Sequence, residues 1–265
     1  MDLQTFDSAG VPIAYLDTGL DKDASTTRLP VLLIHGFASN IGMNWVSTGW
    51  VEALRKQGYR VVAFDNRGHG ASAKLYGLAD YGAALMAEDA NRLLDHLGIA
   101  RAHVIGYSMG ARIAAFLALS QPSRVASLVF GGLGINMVRG MAGTGPIAHA
   151  LEAPSIDDVT NPTARTFRAF AEQTKSDLKA LAACIRSSRA PITAEMVGAI
   201  QCPVLVAVGE RDVIGGSAEE LAKLIPGARA FVIPAREHMR AVGDHAFKTE
   251  VIEFLRPIDE TTSGT

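Results

Sequence analysis

Ser108 lies between two glycines in the segment "HVIGYSMGARIAAF" (103–116), where an apolar strand-like run gives way to a helix-like run. A strand that turns at once into a helix must bend tightly, and Gly106 and Gly110 lack the side chains that would obstruct the bend. Such a turn presents the serine at its apex, beside the free backbone N–H groups of the helix start. The pattern therefore predicts a nucleophilic serine that faces a ligand crevice.

A serine hydroxyl attacks a carbonyl only when a base takes its proton and a third group orients that base. Two later strand-like runs end in suitable residues, because "PVLVAVGERD" delivers Asp212 and "AFVIPAREH" delivers His238. We expect both at the same sheet edge as Ser108, in the chain order Ser, Asp, His. Glu210 is the rival acid, but it is closer to the strand and is expected to point elsewhere. The other candidate histidines are expected to be solvated or structural: His96, His103, His149 and His245.

Attack on a carbonyl also requires donors for the negative oxygen that forms. The segment "LLIHGFASN" ends a strand-like run, and its Gly36 lets the backbone turn. The backbone N–H groups of Phe37 and Met109 are therefore the predicted pair of oxyanion donors. This chemistry needs neither a metal nor an organic cofactor, and none is expected.

The elements that must position these residues alternate between strand and helix patterns. "LQTF" and "VPIAYL" flank a turn and suggest a hairpin. Continuous apolar runs then indicate strands buried on both faces, as in a parallel sheet. Amphipathic segments between the runs predict helical crossovers, and hence a doubly wound α/β sheet of eight strands. The six runs are "VLLIH" (31–35), "RVVAF" (60–64), "AHVIG" (102–106), "ASLVF" (126–130), "PVLVAVG" (203–209) and "AFVIP" (230–234).

One interval between strands is too long for a plain crossover. It separates the run that ends near Phe130 from the run that begins at Pro203, and it contains helix starts at Asn161-Pro162, Ser176 and Thr193. We therefore expect a core formed by residues 1–134 and 202–265, with residues 135–201 forming a small helical cap at the carboxyl ends of the strands. Five apolar residues there either line an acyl pocket or pack the cap onto the core: Met137, Met141, Ile147, Phe167 and Phe170.

Composition bounds the expected partners and location. Of the 265 residues, 48% are hydrophobic and 20% are charged, which is an ordinary globular composition. The formal net charge is -2 and no block of Lys or Arg occurs, so neither nucleic acid nor a membrane surface is an expected partner. Cys184 and Cys202 are expected to be free thiols. Without a basic leader or an apolar run of bilayer length, we expect a cytoplasmic protein, and the sequence leaves its oligomeric state open.

Five motifs together resemble the α/β-hydrolase superfamily, in the branch of esterases, lactonases, carbon–carbon bond hydrolases and cofactor-free perhydrolases. They are "HGF", "DNRGHGAS" (65–72), "GYSMGA", "GERD" and the late "EH". The resemblance spans nearly the whole chain. It implies a structural turn, without a chemical role, for Asp65, Arg67 and His69. Ser108 differs from the aspartate nucleophile of epoxide hydrolases and haloalkane dehalogenases, and Glu237 stands where the family often has glycine.

The resemblance implies a serine hydrolase that acts on a small carboxylic ester through an acyl-enzyme. The same three side chains would also serve a lactonase, a carbon–carbon bond hydrolase or a perhydrolase, and the sequence does not separate these activities. A function of another class, a small-molecule receptor without catalysis, is the remaining alternative.

Overall fold

The computed structural model describes residues 2–19, 28–140, 144–187 and 191–262 of the protein. Within them, eight strands form one sheet in the order β1-β2-β4-β3-β5-β6-β7-β8. The β1–β2 and β2–β4 pairs are antiparallel and the other neighbouring pairs are parallel, which confirms the predicted sheet. The strands are β1 (Gln4–Ser8), β2 (Val11–Asp17), β3 (Val31–Ile34), β4 (Val61–Phe64), β5 (Ala102–Tyr107), β6 (Val125–Gly131), β7 (Val204–Gly209) and β8 (Arg229–Ile233).

Strands β3 to β7 are buried at every position, as their continuous apolar runs predict. The same prediction is wrong for β8, whose Arg229 and Ala230 are exposed and whose Val232 is 38% exposed. β8 is the last strand of the sheet, so its outer edge has no neighbouring strand to cover it. An apolar run therefore identified the strand correctly but not its place at the edge.

Helices cover both faces of the sheet. On one face, α2 (Ala83–His96) and α3 (Met109–Ser120) pack against each other and contribute Met86 and Ile113 to the core. On the other, α1 (Trp50–Lys56) and α11 (His245–Thr262) contribute Trp50 and Phe247, whose rings meet edge to face at 5.0 Å. Burial on both sides holds the carboxyl ends of the parallel strands in a fixed arrangement.

The long interval between β6 and β7 is helical. We call the helices that lie there within the described residues the insertion helices: α4 (Asn136–Arg139), α5 (Thr144–Glu152), α6 (Pro162–Gln173), α7 (Leu178–Ser187) and α8 (Ala194–Gly198). α5 packs on α6 and α7. The division into core and cap remains a prediction. Two short helices, α9 (Ala218–Ala222) and α10 (His238–Ala241), follow β7 and β8.

Side chains cap the starts of three insertion helices. Asn161 accepts a hydrogen bond from Ala164 N at 2.9 Å, and Thr193 accepts one from Met196 N at 3.1 Å, at the starts that the sequence predicts. The predicted start at Ser176 is wrong by one position, because Asp177 Oδ1 accepts from Ala180 N at 3.0 Å.

Two further expectations concern thiols and membranes. Cys184 and Cys202 are thiols outside any disulfide of the described residues, which agrees with the prediction, and burial raises the pKa of the Cys202 thiol to about 11. Among the described residues, none of the helices combines the length and the apolar character needed to cross a bilayer.

Candidate active site

Ser108 occupies a strained turn between β5 and α3. Its φ of 54° and ψ of -113° lie outside the regions that residues with a side chain usually adopt. A β-carbon added at Gly106 would lie 2.3 Å from Gly110 O, and one added at Gly110 would lie 1.9 Å from Ile34 O. Both glycines are therefore required for the close passage of α3 over the sheet, and this passage fixes the serine at the apex.

The structure brings the three predicted side chains into one hydrogen-bonded chain. His238 Nε2 lies 3.0 Å from Ser108 Oγ, and His238 Nδ1 lies 2.7 Å from Asp212 Oδ2. The Asp212 side chain is fully buried and the His238 side chain is 6% exposed. Since the carboxylate can only accept, the Nδ1 proton points to Asp212 and Nε2 is left to accept from the serine hydroxyl. This is the geometry that a general base requires.

The surroundings of Asp212 hold its carboxylate in place. Its Oδ1 accepts from Ile214 N and Gly215 N, each at 2.8 Å, while Oδ2 faces the histidine. The rival acid Glu210 points away, as predicted, and accepts from Ala235 N at 2.7 Å on the surface. Glu237 caps the helix that begins at His238, because its Oε2 accepts from Met239 N at 3.0 Å.

The predicted oxyanion donors are free to bind a ligand. Among the described residues, neither Phe37 N nor Met109 N has an acceptor, although the neighbouring Ala111 N already donates to Ser108 O at 3.0 Å. Phe37 borders the cavity next to Ser108. Unpaired backbone N–H groups near a serine hydroxyl can stabilise a tetrahedral oxyanion.

His35 orients the peptide that carries the Phe37 N–H group. Asn66 N donates to His35 Nε2 at 2.9 Å, so the imidazole proton resides on Nδ1 and is donated to Gly36 O at 2.7 Å. Ser39 N donates to the same carbonyl at 3.2 Å. In a trans peptide the N–H points opposite to the carbonyl. Fixing Gly36 O thus turns the Phe37 N–H group away from His35.

A cavity of about 190 Å³ lies in front of the serine. Phe167 and Phe170 of α6 border it, as the sequence predicts, together with Met239 and Val242 near α10. Its wall is mainly apolar, and its polar lining residues include Ser39, Asn44, Ser47, Thr48, Ser108 and His238.

Two predicted pocket residues lie elsewhere. Met137 and Ile147 are 0% and 1% exposed in the hydrophobic core, so they pack the insertion helices onto the core and do not border the cavity. Met141 lies outside the described residues. Apolar residues of a pocket and of a core are indistinguishable in a sequence, because both are buried from water.

The other histidines lie away from Ser108. His103 is buried between Ser127 Oγ at 2.8 Å and Asp259 Oδ1 at 3.0 Å, which links β5 to α11. His96 stacks on Phe6 with ring centroids 5.4 Å apart. His149 and His245 are exposed, on α5 and α11. These contacts agree with the solvated or structural roles expected for them.

The "DNRGHGAS" turn is a hydrogen-bonded support for the loop that carries Phe37. Asp65 accepts from Ile41 N and Ala71 N, each at 2.7 Å, and Arg67 forms a bidentate pair with buried Asp89 at 2.7 Å. The hydrogen bonds of Asp65 and Arg67 to other parts of the protein are those expected of a structural turn.

His69 of this turn provides a test by pH. Burial lowers the pKa of His35 to about 4 and that of His69 to about 3. The unfolded chain therefore binds more protons than the folded chain between about pH 6.5 and 4. We expect the free energy of unfolding to fall as the pH drops through this range, by up to about 1.4 kcal/mol per pH unit and histidine.

His69→Phe keeps an aromatic ring against His35 and Phe37 but removes one titrating group. We expect a shallower loss of stability below about pH 6.5, measured by urea unfolding at several pH values. The variant also loses the contact from Nδ1 to Arg67 O, so the slope is the readout and not the stability at neutral pH. The wild-type protein, unfolded under the same conditions at each pH, is the reference for the slope. An unchanged slope in His69→Phe would contradict the expectation.

Several functional contacts have no signal in the sequence. The buried Tyr107 hydroxyl donates to His238 O at 2.5 Å, and its ring lies 5.6 Å from the imidazole. Burial raises the pKa of Tyr107 well above its ordinary value, which keeps this donor protonated. Asn44 Oδ1 accepts from Gly36 N at 3.1 Å and so supports the turn before Phe37. Tyr107 lies inside "GYSMGA" and Asn44 lies outside the five motifs, but the sequence indicates neither contact.

Comparisons with known proteins agree with this architecture. Residues 30–142 match the family model described as the alpha/beta hydrolase fold. The 2-hydroxy-6-oxononadienedioate/2-hydroxy-6-oxononatrienedioate hydrolase of Burkholderia vietnamiensis is 35% identical over 137 residues, which cover 48% of this chain and 42% of that protein. The chain spans less than half the length of the curated relatives that it matches.

Solved structures match over almost the whole chain. A hydrolase from Pseudomonas aeruginosa is 26% identical, with a TM-score of 0.72 and coverage of 96% of this chain and 98% of that one. A thermophilic esterase from Thermogutta terrifontis is also 26% identical, with a TM-score of 0.70 and coverage of 97% and 98%. The sheet order, the serine turn and these similarities show that the chain has the α/β-hydrolase fold.

Proposed function

We propose that the protein is a serine hydrolase that cleaves small carboxylic esters through an acyl-enzyme. The observation that carries the proposal is the hydrogen-bonded chain from Ser108 Oγ through His238 to Asp212, with distances of 3.0 and 2.7 Å, beside a cavity. A hydroxyl aligned with an oriented base is the arrangement that activates serine for acyl transfer.

The mechanism has two steps. As Ser108 Oγ attacks the ester carbonyl carbon, its proton moves to His238 Nε2, and Asp212 stabilises the imidazolium. The carbonyl oxygen becomes negative and accepts hydrogen bonds from Phe37 N and Met109 N. His238 then donates its proton to the leaving alcohol. A water molecule then attacks the acyl carbon as His238 Nε2 takes its proton, and His238 returns this proton to Ser108 Oγ as the bond to the acyl group breaks and the acid is released.

The dimensions of the cavity favour a small substrate. A volume of about 190 Å³ is below the range of about 300–1,000 Å³ that drug-sized ligands occupy. Phe167, Phe170 and Met239 give it an apolar wall that suits a short hydrocarbon or aryl group. The Thermogutta terrifontis structure, which is described as an esterase, supports the ester as the preferred bond class.

Carbon–carbon bond hydrolysis is the second candidate. It is favoured by the 35% identity to a protein named as a hydrolase of 2-hydroxy-6-oxononadienedioate. Lactone opening and peracid formation would use the same three side chains. A receptor without catalysis is disfavoured, because binding alone needs no base aligned with a serine. The cytoplasmic location expected from the sequence remains a prediction.

Labelling by a small aryl phosphonate tests whether the serine is activated. We expect the wild-type protein to be labelled stoichiometrically at Ser108 and Ser108→Ala to remain unlabelled. Ser120→Ala, at the end of the same helix α3, is the matched control and should react like the wild type, since the hydroxyl of Ser120 contacts Leu117 O within its own helix. Absence of labelling in the wild type would favour a receptor and contradict the proposal.

A substrate panel in the same experiment separates the bond classes. Aryl esters with short acyl chains should be hydrolysed faster than aryl decanoate, a lactone or a vinylogous diketone. Faster cleavage of the diketone would favour the carbon–carbon bond hydrolase, and a preference for the long acyl chain would contradict the small-cavity argument. Ser108→Ala in each assay reports any reaction that does not pass through this site.

A further inference from the structure

The insertion helices contact the loop that carries the Phe37 N–H group. Thr174 follows α6 directly, and its Oγ1 lies 3.0 Å from the carbonyl oxygen of Ala38, the residue after Phe37. Phe167, on the same helix, packs its ring against the ring of Phe37 with centroids 6.0 Å apart. The end of α6 and its body thus hold two consecutive residues of the loop.

The Thr174 proton has four neighbours, and their other bonds decide where it goes. Phe170 O already accepts from Thr174 N at 3.0 Å, and Ala171 O already accepts from Ser176 N at 2.9 Å. The Ser176 hydroxyl, 2.9 Å away, has a proton of its own to donate to Thr174 Oγ1. Ala38 O has no other donor among the described residues, so the Thr174 proton belongs to it.

The backbone at Ala38 needs such a contact. Its φ is +59°, in the left-handed region that residues other than glycine rarely adopt, and the residue is completely buried. A strained backbone persists only where surrounding contacts hold it. A buried carbonyl also needs a donor, because an unsatisfied polar group disfavours the conformation that buries it. The Thr174 hydroxyl supplies this donor.

We propose that Thr174 is a positioning residue, which couples the insertion helices to the oxyanion donor at Phe37. This inference depends on the proposed function. Thr174 does not border the cavity beside Ser108, so it acts through the loop and not by touching substrate. The Thr174 hydroxyl fixes the peptide that contains Ala38 O, and thereby restricts the neighbouring peptides of the loop. The Phe37 N–H group is then presented to the reacting carbonyl oxygen. Movement of α6 would therefore change the stabilisation of the transition state.

Thr174→Val tests the proposal because it keeps the shape of the side chain and removes the hydroxyl. We expect kcat for a small aryl ester to fall about 10-fold. Removing an oxyanion donor lowers kcat by about 100-fold or more, and displacing one should lower it less. KM should change by less than about twofold, because the ground-state ester makes little use of that donor. Thr174→Ser should restore kcat to within about twofold of the wild type. The matched control is Thr166→Val on α6, which loses an exposed hydroxyl whose partner among the described residues is Pro162 O.

The outcomes separate this inference from the proposed function. If Ser108→Ala is inactive and folded Thr174→Val has wild-type kcat, the coupling is wrong and the hydrolase proposal stands. If Ser108→Ala keeps full turnover, both proposals fail. If Thr174→Val does not fold, Thr174→Ala replaces it, with the same expected fall in kcat and the same rescue by serine. An equal fall in kcat in Thr174→Val and Thr166→Val would overturn the inference. A rise in KM with unchanged kcat in Thr174→Val would also overturn it.

Discussion

Replacing Ser108 with alanine is expected to lower kcat for ester hydrolysis by about 10⁴-fold to 10⁶-fold without unfolding the protein. The reaction loses its nucleophilic oxygen, and His238 Nε2 loses the hydroxyl that lies 3.0 Å away. The fold should remain, because Ser108 Oγ does not cap α3 and so contributes no hydrogen bond to the helix start. Steady-state kinetics together with thermal unfolding by circular dichroism separate the two effects.

A double variant gives the control for this prediction. Groups that act as one catalytic unit are not additive, so Ser108→Ala/His238→Ala should lose about as much turnover as Ser108→Ala alone. A further loss of several orders of magnitude in the double variant would show that His238 acts independently of Ser108. Wild-type turnover in a folded Ser108→Ala variant would exclude Ser108 as the nucleophile.

The convergence of Ser108, Asp212 and His238 is predictable from the sequence because each follows a strand. β5, β7 and β8 are parallel, and their carboxyl ends lie at one edge of the sheet. Residues more than a hundred positions apart therefore come within hydrogen-bond distance without any local signal that joins them. The glycines around Ser108 are predictable for a related reason, since the clash that a β-carbon would cause follows from the turn itself.

The supporting contacts are not predictable, because they depend on distances between elements. The bond from Tyr107 to the carbonyl of His238 joins residues 131 positions apart, and a tyrosine that bonds to a backbone carbonyl leaves no motif. Thr174 and Ala38 are 136 positions apart and differ in nothing visible from other threonines and alanines. Their pairing requires the position of α6 relative to the loop that carries Phe37, which an amphipathic pattern leaves undetermined.

At β8 the sequence predicts the strand but not how much of it is buried. Its run "AFVIP" is as apolar as those of the central strands, yet Val232 is partly exposed because strand order places β8 at the edge. Apolar content determines that a segment prefers to be covered, but neighbours in space determine how much of it is covered. For the same reason Met137 is in the core although its sequence context is compatible with the pocket wall.

Asp212→Asn is expected to lower kcat by about 10⁴-fold while leaving the fold and the cavity unchanged. In the wild type, Oδ1 accepts from Ile214 N and Gly215 N, each at 2.8 Å. An asparagine keeps its oxygen towards these two donors, because the reverse orientation would place an NH₂ group against two N–H groups. The NH₂ group then faces His238 Nδ1, in place of the carboxylate oxygen now 2.7 Å from it.

This orientation forces the wrong tautomer on the histidine. Facing a donor, Nδ1 must accept, so the imidazole proton moves to Nε2 and is directed at Ser108 Oγ. A protonated Nε2 cannot take the serine proton, and the imidazolium that would form in the transition state also loses its carboxylate partner. We expect the loss in kcat with little change in KM, since neither change alters the binding of the ground-state ester.

Glu210→Gln is the matched control, because it removes the charge of the rival carboxylate on the same loop. Its Oε2 contacts Ala235 N at the surface, and the variant should keep wild-type kcat. An equal loss in both variants would indicate that the charge of the loop, and not the Asp212 contact, is what supports His238. A folded Asp212→Asn protein with kcat within about 10-fold of the wild type would remove Asp212 from the mechanism, since a histidine held in the wrong tautomer costs far more.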